Sequence, residues 1–275
     1  MTTDPWQTDR VDLNGYLQRL GVPALAPSLA ALSELHEAHV RTYTFDNIDV
    51  LLGQHRGTAL DAINDKFVNR GRGGYCFEHG SIFAAALERL GYRVARHLGR
   101  VGSPMEKGRT HMVVRVSVQG VTVLADPGFS MSLLRPIRLA DGAEDDYLGW
   151  PHHVRRIATA GGSMWELYRR RHEEWVLVHT HDDLPVHPVD IVMGHHFTST
   201  HPESHFRRRL MATRHLADRH VSLSHETVTV RRAGAPTEHR TLRDSEELGV
   251  WLDELEIPLT PEERSRLARW RDEWR

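Results

Sequence analysis

The sequence predicts an α+β protein of three regions: a helical region over residues 1–91, a β-rich region over 92–194 and a mixed α/β region over 195–275. Apolar residues recur with helical spacing in the first region, the period changes to alternation after Gly91, and both patterns occur from about His195 onward. No long Gly/Ser linker separates the regions, so we expect them to pack into one body.

Four helices are predicted in the first region, each from apolar residues that recur at i, i+3 and i+4. The first follows Asp12, a candidate N-cap, and stops at Gly21, and the second follows Ser28, a candidate cap of the same kind. The glycine-rich segment 70–75 predicts a turn, which places Cys76 near the N-terminus of the fourth helix. The predicted helical ranges are 13–20, 28–40, 59–69 and 77–90.

A hairpin in the second region brings two polar residues together. Gln119-Gly120 is a two-residue turn signal between two alternating runs. Such a turn pairs residues whose numbers sum to 239, which places Asp126 opposite Val113. Because residues 111 and 113 share a strand face, we expect His111 and Asp126 to meet. The strands predicted in this region are 93–101, 111–118, 121–125, 154–159, 164–171 and 174–180.

The third region mixes both patterns. It contains a predicted helix at 202–210, strands at 221–231 and 238–242, and two closing helices. Glu247 follows Asp244 by three residues, and Thr260 begins a capping box with proline in the first helical position.

Composition excludes several classes of protein. The 35 Lys and Arg against 37 Asp and Glu offer no basic field for a nucleic acid. A single cysteine cannot form an intramolecular disulfide, which suggests a reducing compartment. Neither a signal peptide nor a run of roughly 18 apolar residues is visible, so we expect a cytoplasmic protein without a membrane span.

The 20 histidines invite a metal hypothesis, which their spacing does not favour. The close pairs lack the helical i, i+4 arrangement with a glutamate that zinc proteases use. We therefore expect no metal, and expect most histidines to be solvated surface residues. The pairs are His152-His153, His179-Thr-His181 and His195-His196.

Cys76 is the candidate nucleophile. A thiol attacks as the thiolate, which a helix N-terminus and a histidine both favour, and such a histidine needs a carboxylate to orient it. His111 and Asp126 fit these roles. Alone, Cys76 would more often be a small buried apolar residue, and Asp126-Pro127-Gly128 an ordinary turn. The hypothesis therefore depends on the three motifs occurring together.

These motifs resemble the Cys/His/Asp signature of the arylamine N-acetyltransferases in order and approximate spacing, with separations of 35 and 15 residues between the three side chains. Two further segments resemble the family's Pro-Phe-Glu-Asn and Ser-Thr-His-Pro segments. The resemblance therefore extends through at least residues 10–210. The segments are Arg72-Gly-Gly-Tyr-Cys76-Phe-Glu78, Arg109-Thr-His111-Met, Leu124-Ala-Asp126-Pro-Gly128-Phe129, Thr44-Phe45-Asp46-Asn47-Ile48-Asp49 and 197–206.

The resemblance implies a helical bundle, a central β-barrel and an α/β lid, with a triad like that of the cysteine proteases. It implies a xenobiotic-metabolising acyltransferase that moves an acetyl group from acetyl-CoA through Cys76 to an arylamine or arylhydrazine. It also implies that Arg72 and Glu78 support the site through charge-assisted hydrogen bonds. The implied substrate or cofactor contacts are Phe45, Gly128, Phe129 and Phe197.

Three residues depart from the family pattern. Gly80 stands where Asn is common, Pro127 removes a backbone N–H, and Ser130 adds a side chain where a pantetheine arm would approach. Two alternatives follow from these departures and from related proteins. One is an amide synthase that cyclises a polyketide thioester with the same triad, and the other is a non-catalytic binding protein.

Overall fold

The computed structural model describes residues 4–102, 104–171 and 174–273. Helices α1 to α9 span Leu13–Leu20, Leu29–Thr42, Ile48–Leu51, Leu60–Asn64, Cys76–Arg89, Pro188–Thr200, His205–Arg208, Ser245–Glu254 and Pro261–Glu273. Strands β1 to β13 span Phe45–Asp46, Arg93–Val101, His111–Val118, Val121–Leu124, Ile137–Arg138, Glu144–Tyr147, Trp150–Thr159, Gly162–Arg171, Glu174–Asp182, Ala212–His215, His220–Leu223, Thr227–Arg231 and Glu238–Thr241. A 3₁₀ turn precedes α1 at Thr8–Arg10, and a π-helical turn, Asp65–Asn69, continues α4.

Helix α5 is the centre of the helical layer, with every residue from Cys76 to Leu87 buried. It packs between α1 and α4 on one side and strands β2 and β3 on the other. The caps expected for its neighbours form: Asp12 accepts from the backbone N–H of Gly15, and Ser28 accepts from that of Ala31. The helices predicted from apolar spacing therefore pack around α5 and hold it in place.

Eight strands form a nearly closed, barrel-like sheet in the order β5-β4-β3-β2-β9-β8-β7-β6, and its two end strands contact each other. The hairpin register is confirmed, since Val118 pairs with Val121 and Arg115 with Leu124. Strand β2 pairs with both β3 and β9, which brings distant segments together. The interior is filled by apolar residues, among them Val113, Val154 and Leu167.

A second sheet has the order β1-β10-β11-β12-β13. Its first strand comes from the N-terminal helical region, and Phe45 pairs with Thr213. Helices α8 and α9 share an apolar core with this sheet. The pairing joins the N-terminal helical region to the third region, beside the turn that precedes α5.

The predicted α+β class is confirmed, and two element predictions are wrong. The helix expected at 202–210 is the single turn α7, and the real helix is α6. Helix α6 has no apolar stripe, because it buries only Ile191 and Thr198, so periodicity could not reveal it. The strand expected at 221–231 is two strands around a turn at Ser224. Of the described helices, none has the length and apolar character to cross a membrane.

Candidate active site

A glycine-rich turn places Cys76 at the first position of α5. A Cβ at Gly73 would lie 1.8 Å from the carbonyl oxygen of Thr44, so only glycine allows this close approach. The backbone N–H of Gly74 donates to the same oxygen at 3.2 Å. The Cys76 side chain is buried, with 4% of the residue exposed. The loop therefore packs against segment 44–46 and fixes the direction in which the thiol points.

Buried charges support this turn from below. Lys66 Nζ lies 2.9 Å from carboxylate oxygens of both Asp49 and Glu78, and Arg72 lies 2.9 Å from Asp49. Glu78 also accepts from the backbone N–H of Tyr75 at 3.1 Å. Burial alone would raise the pKa of Glu78, but Lys66 and a neighbouring imidazole hold it well below its usual range. The supporting contacts expected of Arg72 and Glu78 are present.

His111 and Asp126 form a buried pair next to the thiol. Nε2 of His111 lies 2.7 Å from Oδ2 of Asp126, and the two residues are 1% and 2% exposed. An ionised carboxylate only accepts hydrogen bonds, so Nε2 of His111 carries the proton and Nδ1 is left to face Cys76. Sγ of Cys76 lies 3.5 Å from the carbonyl oxygen of Thr110. The structure thus brings together the three residues of the expected triad.

The pair is polarised. Burial opposes charge on His111, but the Asp126 carboxylate and the neighbouring Cys76 outweigh it and raise the pKa of His111 to about 10. Burial also opposes charge on Asp126, yet His111 and His179 hold the pKa of that carboxyl well below its usual range. At neutral pH the arrangement is therefore an imidazolium beside a carboxylate, suited to stabilising a thiolate.

Gly128 and Phe129 lie directly against the triad. A Cβ at Gly128 would lie 3.1 Å from both the Cα atom and the carbonyl oxygen of Cys76. The backbone N–H of Gly128 donates to Asp126 at 3.2 Å. The Phe129 ring meets the His111 ring edge to face, with centroids 5.3 Å apart. The Asp-Pro-Gly-Phe segment therefore covers the nucleophile.

The other two expected contact residues lie further out. Phe45 is buried against the ring of His79 and, with Phe129, lines a cavity of about 10 Å³, the size of a single water. Phe197 is 45% exposed and stacks on His201. Phe45 thus belongs to the cluster around the triad, whereas Phe197 lies on the outer face of α6.

The three residues that depart from the family pattern, Gly80, Pro127 and Ser130, each contact a neighbouring side chain. A Cβ at Gly80 would lie 2.9 Å from Cγ and Sδ of Met112, so the thioether occupies the space of a longer side chain. The carbonyl of Pro127 accepts from Ser132 Oγ at 2.9 Å. The carbonyl of Ser130 lies 2.9 Å from Nε2 of His220, in the second sheet. The loop that covers Cys76 is therefore held by the second sheet.

Sequence reasoning missed His179. Its Nε2 atom lies 3.1 Å from Oδ2 of Asp126, and the residue is fully buried. The expectation that most histidines are solvated is wrong, since at least eleven of the 20 are buried. The alternation of polar and apolar residues in β9 predicts a strand with one buried face. It does not reveal that β9 pairs with β2, and this pairing brings His179 to the triad.

The same three side chains bear on the metal hypothesis. Ligand atoms of His111, Asp126 and His179 lie within 4.8 Å of one another, a spacing that could hold an ion. Both imidazole nitrogens face one carboxylate oxygen at 2.7 and 3.1 Å. The His111 contact has the geometry of a hydrogen bond, whereas both ring nitrogens of His179 are buried without a hydrogen-bond partner in the described part of the chain. The absence of a metal stays a prediction.

Fold and site together define a class of proteins in which a helix N-terminus carries a cysteine and a barrel-like sheet supplies its histidine and aspartate. Residues 28–263 match the family model described as N-acetyltransferase. The arylamine N-acetyltransferase / N-hydroxyarylamine O-acetyltransferase of Salmonella typhimurium is 37% identical over 75% of this chain and 74% of its own length. The chain belongs to the arylamine N-acetyltransferase family, so the expectation of an acyltransferase rather than a binding protein is confirmed.

Solved structures agree. The Nocardia farcinica arylamine N-acetyltransferase superposes with a TM-score of 0.91 at 33% identity, over 98% of this chain and 99% of that one. The Mycobacterium marinum arylamine N-acetyltransferase in complex with CoA gives a TM-score of 0.87 at 32% identity, over 95% and 99%. The predicted arrangement of helical layer, barrel-like sheet and C-terminal α/β region is therefore shared with the family.

Proposed function

We propose that this protein transfers an acetyl group from acetyl-CoA to an arylamine or arylhydrazine through an acetyl-Cys76 intermediate. The observation that carries the proposal is the buried His111, which is hydrogen-bonded to Asp126 and whose pKa is raised by Asp126 and by Cys76. In this proposal region 1–91 supplies the nucleophile, region 92–194 supplies His111 and Asp126, and region 195–275 covers the site.

The first step forms the thioester on the enzyme. The Cys76 thiolate attacks the carbonyl carbon of acetyl-CoA, and the bond from that carbon to the coenzyme sulfur breaks. The departing thiolate takes the proton from Nδ1 of the His111 imidazolium. The first backbone N–H groups of α5 have no acceptor within the helix, so they are available to the negative oxygen of the intermediate. One thioester replaces another, so the step is close to isoenergetic.

The second step releases the product. The neutral amine attacks the acetyl carbon, the nitrogen–carbon bond forms, and the Cys76 sulfur leaves as the thiolate. His111 Nδ1 accepts the proton that the amine loses, which restores the starting charges. Asp126 stays ionised throughout and holds the imidazole in place. Gly128, Phe129, Phe45 and Phe197 are the proposed substrate contacts, and no step needs a metal.

The CoA complex of the M. marinum relative supports a CoA thioester as donor, and the names of the relatives support an arylamine acceptor. No observation in the structure favours the amide synthase alternative.

Intact mass of the wild type and of Cys76→Ala after incubation with acetyl-CoA tests the proposal. We expect a gain of one acetyl group in the wild type, absent in Cys76→Ala and removed by adding an arylhydrazine. Because the chain has one cysteine, no other thiol competes for the label. An acetyl group that persists in Cys76→Ala, or that an arylhydrazine does not remove, would contradict the mechanism.

A further inference from the structure

A second, much larger cavity of about 740 Å³ lies between the barrel-like sheet and the hairpin that joins β12 to β13. Trp150 and Met131 form part of its wall. Five arginines from both sheets line it: Arg169, Arg170 and Arg171 from β8, Arg231 from β12, and Arg232 from the hairpin. Its volume suits a ligand of nucleotide size.

Three of these arginines have no counter-charge among the described residues. Among residues 4–102, 104–171 and 174–273, no carboxylate lies within ion-pair distance of Arg169, Arg171 or Arg231. Nε of Arg169 is buried without a hydrogen-bond partner from the described part of the chain. Within the part of the chain that the structure describes, Arg231 donates to the hydroxyl of Ser222, at 3.3 Å, and to no other side chain. Arg232 differs, because it pairs with Glu238 at 2.5 Å.

This arrangement is costly unless a ligand supplies negative charge. Burial, together with the charges of Arg171 and Arg231, lowers the pKa of Arg169 to about 9. Arg169 and Arg231 are partly buried and Arg171 is exposed, so the cost falls mainly on Arg169, whose buried Nε and neighbouring like charges raise the energy of the folded state when no anion is present. The guanidinium fork matches the oxygens of a phosphate group, and several forks around one cavity suit a doubly charged oxyanion better than a single carboxylate.

We propose that this cavity binds a phosphate or diphosphate group through Arg169, Arg171 and Arg231. Two sources carry this chemistry: the phosphorylated end of coenzyme A, an assignment that rests on the proposed function, and free inorganic phosphate or diphosphate.

The cavity adjoins the segment that covers the nucleophile. Met131 belongs to segment 127–132, and its neighbour Ser130 is held by His220. Trp150 packs against His220 with ring centroids 6.3 Å apart. A ligand in the cavity therefore contacts the same layer of side chains that anchors the cover of Cys76.

Binding of CoA and of inorganic diphosphate, each measured by titration calorimetry, tests the proposal in Arg169→Gln and Arg171→Gln. Arg156→Gln is the matched control: it removes one positive charge from the same sheet, but Arg156 does not line the cavity and bonds Ser163 instead. Arg171 is exposed, so its replacement keeps the test valid even where Arg169→Gln fails to fold. Acetylation of Cys76 by p-nitrophenyl acetate, which needs no CoA, reports the thiol chemistry separately.

We expect both cavity variants to weaken diphosphate binding about 10-fold to 100-fold, the range for a charge-assisted hydrogen bond, and the control to bind as the wild type does. A parallel loss for CoA assigns the cavity to the acyl donor, whereas unchanged CoA binding assigns it to free phosphate; both results support the site. Diphosphate and CoA binding within twofold of wild type in both cavity variants would overturn it. Failure of p-nitrophenyl acetate to acetylate the wild type would contradict the proposed function alone.

Discussion

Nε2 of His179 lies 3.1 Å from Oδ2 of Asp126, the oxygen that also bonds His111. Two buried imidazoles therefore share one carboxylate oxygen. Burial lowers the pKa of His179, and the charge of His111 lowers it further, so His179 is neutral while His111 is charged. We infer that His179 positions Asp126 and supplies no charge of its own.

Removing His179 therefore weakens the hold on Asp126. We expect His179→Leu to lower kcat/KM for acetyl-CoA and an arylhydrazine about fivefold, since the carboxylate loses a neutral imidazole 3.1 Å away, a polar contact worth about 1 kcal/mol. His179→Gln keeps an N–H donor and should recover most of the rate. Equal losses in both variants would show that shape rather than the donor matters at this position.

Asp126→Asn tests the charge on the pair. Without the carboxylate, burial dominates and the pKa of His111 falls, so the thiolate loses its positive partner. We expect kcat to fall about 10³-fold to 10⁴-fold, as in other triads. Alkylation of the single thiol by iodoacetamide should slow at pH 7 in the variant. An alkylation rate equal to that of the wild type would contradict the role of Asp126.

The neutral buried histidines predict acid sensitivity. Burial lowers the pKa of His36, His79 and His152 to about 4 and that of His215 to about 3, whereas 6.5 is the usual value. Between these values the unfolded chain binds protons that the folded chain does not, so stability falls as pH falls from 6.5 toward 4. Each group contributes up to about 1.4 kcal/mol per pH unit. The opposite contribution of His111, whose pKa is raised, is lost only above pH 6.5.

Urea unfolding at pH 7.5 and pH 5.5 measures this effect. Carboxylates with ordinary pKa values are ionised at both pH values, so the difference isolates the histidines. We expect the free energy of unfolding to be several kcal/mol lower at pH 5.5. Equal free energies would mean that these imidazoles gain protons without unfolding.

A chelator tests the cluster of His111, Asp126 and His179. Since the carboxylate is already shared by two imidazoles, we expect full activity after dialysis against EDTA and no stoichiometric metal by elemental analysis. Loss of activity that zinc restores would show that these residues hold an ion.

The parts of the site that sequence could predict are local. The hairpin at Gln119-Gly120 sets the register of β3 and β4, which brings His111 to Asp126. The two turn residues are enough to specify this register. The position of His179 depends on β2 pairing with β9, which joins segments about 80 residues apart in the sequence. Strand β1 was missed for a similar reason, since two residues become a strand only when β10 lies beside them.

Gly128→Ala tests how closely the cover must fit the nucleophile. The added Cβ would lie 3.1 Å from backbone atoms of Cys76 and 3.2 Å from Cβ of His79, and none of these atoms can swing away as the end of a long side chain would. Segment 127–132 must then shift by a few tenths of an ångström, which strains the hydrogen bond from the Gly128 N–H to Asp126. Overpacking of this kind costs about 1 to 3 kcal/mol of stability.

We expect kcat/KM of Gly128→Ala to fall at least about tenfold, because small displacements of reacting groups are costly in rate. Gly161→Ala is the matched control, since a Cβ there meets nothing within 4 Å. Steady-state kinetics and thermal unfolding of both variants, measured together, separate rate from stability. A Gly128→Ala enzyme with the rate and stability of Gly161→Ala would show that the cover tolerates displacement, and that its contact with Cys76 does not position the thiol.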